Sequence, residues 1–145
     1  MKSIAILILV LSGSTAMCQS ISTTLSAEKT VRGCGYTGHL GFEFRKPWAI
    51  GGFYQMVSPS NFSEKKKLVD PFYGVYLQAP LMASQRLLFS FVLRTGFVNR
   101  NFLIVTPALE TRLLIRQRIN LVFGMGLRHG YPSASGGLNY KLIKF

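Results

Sequence analysis

Five charged residues stand inside stretches that otherwise alternate between large apolar and small side chains: Glu43, Arg94, Glu110, Arg112 and Arg128. Carboxylates and guanidiniums in such settings pair with one another, because a charge taken out of water alone is expensive, or they line a path or site that moves ions or protons. Two glutamates with three arginines favour pairing, and the five are read as an ion-pair network rather than as transport or catalytic machinery. A nucleophile and base can also be drawn. His129 with Ser133 or Ser135 and Glu110 contains the residue types of a triad, at spacings that only strand geometry would bring together. The two histidines, His39 and His129, have no His, Cys or carboxylate at ligand spacing, so no metal and no cofactor is expected. Gly124-Met125-Gly126 lacks the third glycine and the following helix of a dinucleotide loop and reads as close packing within a strand. Asn61-Phe62-Ser63 matches a glycosylation triplet that is common by chance. Lys65-Lys66-Lys67 is the sharpest surface feature, three adjacent ammonium groups able to meet phosphates.

The stretches that carry these residues are organised around 86–128. Ile119, Leu121, Phe123, Met125 and Leu127 alternate with Asn120, Val122, Gly124, Gly126 and Arg128. Leu87, Phe89, Phe91, Leu93, Thr95 and Phe97 repeat the pattern, as do Leu103, Val105, Pro107, Leu109, Thr111 and Leu113. A period of two places successive side chains on opposite faces of a strand. Further strands are expected over 36–45, 48–57, 72–79 and 136–145. Residues 19–25 form a weakly alternating, β-prone first strand. Loops are expected at 26–35, 58–70 and 129–135, with connections near 46–47, 80–85, 99–101 and 114–117. Outside the N-terminal segment nothing has the 3.6-residue apolar spacing of an amphipathic helix. The count is eight strands, most close to the ~9–11 residues of a tilted membrane-spanning strand.

The chain opens Met1-Lys2-Ser3, runs apolar from Ile4 to Leu11, and continues Ser12-Gly13-Ser14-Thr15-Ala16-Met17-Cys18. A basic start, a short apolar run and small residues make a secretory signal peptide over 1–18; the run falls well short of the ~20 residues of a spanning helix. A lipoprotein signal that keeps Cys18 as an acylated first residue fits less well, because Thr15 stands where a Leu-like residue is usual. Export leaves Cys34 as the only thiol of the mature 19–145 domain, so an internal disulfide framework is excluded and Cys34 is a free thiol or a partner for another chain.

The net charge of +12 raises nucleic acid or an anionic surface as partner. The basic residues, however, gather in turns, at Arg45-Lys46, Lys65-Lys66-Lys67, Arg100 and Arg116–Arg118. No basic helix or aromatic-basic interleaving is present, and nucleic acid is not an expected partner.

The in-strand charges all lie on the mixed face and the opposite face is greasy. With 48% hydrophobic residues, a soluble barrel would lack polar side chains to cover its outside, whereas a lipid-embedded barrel inverts the assignment. Trp48, Tyr54, Tyr73 and Phe97 lie near strand ends on the greasy faces, where interfacial aromatics occur. An exported chain of alternating strands closing with Leu138-Asn139-Tyr140-Lys141-Leu142-Ile143-Lys144-Phe145 resembles the small outer-membrane β-barrel proteins of Gram-negative bacteria, and Gln19 after the cleavage site is similar to Bacteroidota members. The resemblance implies an all-β, eight-stranded antiparallel up-and-down transmembrane barrel in the outer membrane. It also implies that the last strand, through Tyr140 and Phe145, is read by the barrel-assembly machinery. Leu138, Tyr140 and Leu142 share a face that Phe145 does not, so a bulge or register break is expected near Ile143.

Eight strands enclose an interior that side chains fill, so a wide pore is not expected. The function expected is structural or interactive, with the loops contacting glycolipid or partners and Lys65, Lys66 and Lys67 meeting glycolipid phosphates. Two other classes stand beside it. Some barrels of the resembled family are lipid A enzymes, whose deacylases place a Ser two residues after a His; here Gly41 and Tyr131 occupy those positions. A soluble periplasmic ligand-binding barrel is the third class.

Overall fold

The computed structural model describes residues 18–30, 33–44, 48–59, 71–98, 102–128 and 130–144. Eight strands make up nearly all of them: β1 (Cys18–Thr30), β2 (Gly33–Phe44), β3 (Ala49–Pro59), β4 (Phe72–Ala83), β5 (Leu87–Val98), β6 (Phe102–Arg116), β7 (Ile119–Arg128) and β8 (Tyr131–Lys144). Each pairs antiparallel with its successor, and β8 returns to β1, closing the sheet into a barrel in sequence order. Closure leaves no edge strand with unpaired backbone groups. Both described termini, the strand ends at Phe44 and Ala49, and the connections at 84–86 and 117–118 lie at one end, called here the terminal end. The strand ends at Thr30 and Gly33, Pro59 and Phe72, Val98 and Phe102, and Arg128 and Tyr131 lie at the other, the loop end.

The weakly alternating first strand is present and longer than expected. Of residues 26–35, expected as a loop, 26–30 and 33–35 instead belong to β1 and β2, which run to Thr30 and from Gly33. The reason lies in the faces: Ser22, Thr24 and Glu28 are buried while Leu25, Ala27 and Lys29 are not, so the polar residues are the strand's inward row. The expected loop at 129–135 likewise contracts, with β8 beginning at Tyr131 and Gly130 in the left-handed region at φ 78°. The connection near 80–85 shrinks because β4 continues to Ala83 through Pro80, and that near 114–117 shrinks because β6 continues to Arg116. The expected signal peptide (1–17 of it), Lys65-Lys66-Lys67, His129 and Phe145 lie outside the described residues.

Strand register slips at four places, all toward the terminal end: at Gln19, Leu81, Ile115 and Leu142. Each inserts one unpaired residue, which bends its strand and sharpens the twist at a barrel rim. The slip expected near Ile143 is the last of these, since Ile143 pairs with Ile21 and Lys141 with Ser22. Two glycine pairs, Gly41 opposite Gly51 and Gly74 opposite Gly96, bring neighbouring backbones close enough to turn a corner. A Cβ on Gly51 would overlap the carbonyl oxygen of Leu40, and one on Gly74 that of Thr95.

Candidate functional site

The barrel is inside-out relative to a soluble protein. Among the described residues, six hydrophobic side chains are buried against sixteen polar or charged ones, while the outside carries Leu25, Leu40, Ile50, Val75, Phe97, Val105, Phe123, Met125 and Leu138 in the open. The apolar part of the lumen is small, a cluster of Ala49, Phe53, Phe72, Tyr76 and Val92. Phe53 meets Phe72 edge-on at 4.7 Å between ring centres, and the buried His39 lies over Tyr76 at 5.0 Å.

The five in-strand charges singled out in the sequence all point into the lumen, where they fall into two clusters. Near the terminal end, Glu43 on β2 accepts from Arg112 Nη1 at 2.8 Å and from Ser20 Oγ at 2.9 Å, and Lys141 Nζ lies 3.3 Å away. The other arm of Arg112 donates to Gln78 Oε1, whose amide nitrogen donates to Ser90 Oγ at 2.7 Å. That hydroxyl reaches the backbone oxygen of Glu110 at 3.3 Å, tying the first cluster to the second. In the second, Arg94 Nη2 donates to Glu110 Oε1 at 2.9 Å, and its Nη1 stands 3.7 Å from Glu28 Oε2. Glu28 also accepts from Gln55 Nε2 at 2.5 Å and faces Arg128 Nη1 at 3.9 Å. A third, neutral ladder runs across the closure seam: Asn120 donates to Asn139, and Asn139 donates to Thr24, both at 2.8 Å.

Glu28, Gln55 and Gln78 are the members that sequence reasoning misses. Glu28 falls where a loop is expected, although Ser22, Thr24 and Glu28 sit at even offsets that continue one strand face. Gln55 and Gln78 each alternate with outward apolar neighbours, a signal the sequence does carry. The space left beside Glu28, Arg94 and Arg128 is about 10 Å³, room for about one water. This arrangement crosslinks the barrel wall from within.

Of the drawn triad, Ser135 and Glu110 are among the described residues and lie near each other. Ser135 and Glu110 flank Gly124 inside the barrel, where an added Cβ would lie 2.5 Å from Ser135 Oγ and 3.3 Å from Glu110 Cγ. The carboxylate of Glu110, however, is held by Arg94, and His129 lies outside the described residues. Gly126 is equally crowded, its Cβ position 2.8 Å from Ala108 Cβ, so Gly124 and Gly126 act as packing glycines. Among the described residues no three His, Cys, Asp or Glu side chains gather as a metal site. Tyr140 faces outward and is 41% exposed. Cys34 is free and exposed toward the loop end. Outward aromatics gather near that end too, with Tyr54 beside Tyr73 and Tyr73 beside Phe97, while Trp48 and Tyr140 stand at the terminal end.

An edge-free antiparallel sheet with an apolar outside and a paired-charge interior has the architecture of transmembrane β-barrels. Solved structures agree at the level of fold. A de novo designed transmembrane β-barrel superposes with a TM-score of 0.71 at 12% identity, over 86% of this chain and 97% of that one. The designed barrel TMB2.3, solved by solution NMR, gives 0.68 at 11% identity over 88% and 97%. Ail, the attachment invasion locus protein of Yersinia pestis, gives 0.47 at 11% identity over 86% and 97%. No protein-family model matches the chain, and no curated protein matches it.

Proposed function

We propose that the chain is a small outer-membrane β-barrel of a Gram-negative envelope, exported through the 1–18 signal peptide, with a structural or interaction role and no wide pore. One observation carries this reading: the row of leucines, phenylalanines and valines on the strands faces outward, while glutamates and arginines face the lumen. Hydrocarbon is the solvent that matches such an exterior, because contiguous apolar surface on this scale is not left in water by a soluble domain. The exterior is also incompatible with the soluble ligand-binding alternative. The lumen's charges are engaged with one another, which favours a scaffold over a lipid A hydrolase. In this reading the termini are periplasmic and the 60–70 segment, with Lys65, Lys66 and Lys67, faces outer-leaflet glycolipid phosphates. Tyr140 and Phe145 belong to the assembly signal of the last strand.

Cell fractionation with gel mobility tests this. The protein is expected in the detergent-requiring outer-membrane fraction, migrating faster unheated than boiled. Release without detergent, or mobility indifferent to boiling, removes the membrane assignment. Unchanged lipid A mass on expression separates the scaffold from the enzyme.

A further inference from the structure

At the terminal end, outside the lumen network, a groove of about 810 Å³ opens beside the β6–β7 turn. Arg86, Arg116 and Arg118 line it together with Leu114, Ile115 and Tyr140. Three separate chain features converge there. The β4–β5 turn supplies Arg86, whose backbone oxygen accepts from Leu114 at 2.8 Å. The Ile115 bulge turns Arg116 to the outward side, where it pairs with Ile119, and Ile119 pairs in turn with Tyr140. Arg118 is fixed by its backbone oxygen, which accepts from Lys141 at 2.9 Å.

The charge at this rim is unbalanced. Among the described residues, none of the three arginines has a carboxylate partner, and Glu43, the acid of this end, is held in the lumen by Arg112 and Lys141. Like charges gathered without a counter-ion raise the demand for an anion. The groove also continues into the apolar exterior, with Leu113, Leu138 and Leu142 exposed on adjoining strands. Its occupant therefore needs an anionic, hydrogen-bond-accepting head and a hydrocarbon tail. Arginine forks match phosphate oxygens, and a tyrosine at the apolar boundary sits at headgroup depth.

We propose that this groove binds one anionic phospholipid of the leaflet at the terminal end, with its phosphate among Arg86, Arg116 and Arg118 and its acyl chains along Ile115, Ile119 and Tyr140. The site rests on the membrane reading given above and differs from the contact proposed there for Lys65, Lys66 and Lys67, which that reading assigns to the other leaflet.

Trp48, the chain's one tryptophan, stands at the same end on the β3 side, away from the groove. This permits a paired measurement. The wild-type chain and a W48F/Y140W variant are refolded into phosphatidylcholine vesicles containing brominated phosphatidylglycerol or brominated phosphatidylcholine, and quenching of tryptophan fluorescence is compared. At the indole introduced in place of Tyr140 the anionic lipid is expected to be preferred by about fivefold or more, the worth of one basic contact near an anionic surface. At Trp48 the preference is expected near unity. Adding R86Q, R116Q and R118Q to the variant should bring position 140 to unity, with heat-modifiable mobility confirming folding; if the triple substitution does not fold, R116Q alone should reduce the preference. Equal preference at both positions, or a preference at position 140 that survives loss of the arginines, overturns the site in favour of diffuse attraction. Equal quenching by the two lipids at position 140 also overturns it while leaving the barrel in the membrane. Folded protein quenched by neither lipid overturns the membrane reading, and this site with it.

Discussion

Replacing Arg94 by methionine tests whether the lumen network holds the barrel together. Arg94 is 5% exposed and stands 2.9 Å from Glu110 and 3.7 Å from Glu28, with Arg128 completing the set 3.9 Å from Glu28. Two acids and two bases balance. Arg94→Met leaves two carboxylates facing one guanidinium in a space with room for little water, so one charge is buried without compensation. Breaking a buried pair in this way costs about 3–5 kcal/mol. Glu110→Met leaves the opposite imbalance and is expected to cost somewhat less, because Arg94 keeps Glu28 as a partner. The double variant Arg94→Met/Glu110→Met restores neutrality, with Glu28 still held by Gln55 and Arg128. The bonds from Ser90 and Thr106 in this region go to the backbone oxygens of Glu110 and Arg94, so they survive both substitutions. Methionine is close in length and adapts to irregular space, so the double variant is expected within about 1 kcal/mol of wild type, as for other buried pairs replaced by apolar residues. Urea unfolding in detergent micelles, followed through Trp48 fluorescence and the heat-modified gel band, measures all four corners of the cycle. Should Arg94→Met cost less than about 1 kcal/mol, the value of a solvated pair, the lumen is wet and the network does not stabilise the fold. A double variant as unstable as the sum of the singles would equally refute coupling between the two side chains.

Three further outcomes follow from the same geometry. Phe123 sits mid-strand on β7, 54% exposed on the apolar exterior; Phe123→Arg should cost about 2–4 kcal/mol in a bilayer, read by urea unfolding in vesicles, and a negligible cost would mean that face meets water. Gly51→Ala drives a methyl group into the Leu40 carbonyl, so refolding yield of the heat-modifiable form should fall severely, and wild-type yield would show that the close approach is not needed for closure. Cys34, exposed toward the loop end, should react with a membrane-impermeant maleimide on intact cells and lose that labelling in Cys34→Ser; protection in intact cells with labelling after lysis would reverse the orientation.

The exterior of this barrel is legible residue by residue because lipid demands large apolar side chains at every second position. Ile119 to Leu127 and Leu87 to Phe97 announce their strands without ambiguity. The interior imposes a looser demand, polarity with a partner, which Ser22, Thr24, Ser133 and Ser135 satisfy as readily as any turn would. For that reason β1 beyond Leu25 and the start of β8 read as loops, and Glu28, the carboxylate shared by Arg94, Arg128 and Gln55, is hidden among them. Which acid meets which base is not legible either. Glu43 and Arg112 are 69 positions apart and meet across the lumen, a pairing set by closure of the whole barrel and not by adjacency on the wall.

Charge balance joins the lumen to the rim. Glu28, Glu43 and Glu110 face Arg94, Arg112 and Arg128 inside the barrel, and Lys141 reaches Glu43 from the terminal end, three acids against four bases. Nearly all of the excess of +12 therefore belongs to the rims, the connections and the segment before β1. The apolar wall between the two ends cannot carry it, since a charge there would face hydrocarbon. Basic residues are thus forced to the rims, where Arg86, Arg116 and Arg118 gather at one end. A barrel that comes close to balancing its lumen and keeps its wall apolar presents anionic headgroups with positive charge at the membrane boundary, where lipid phosphates are the abundant counter-ion.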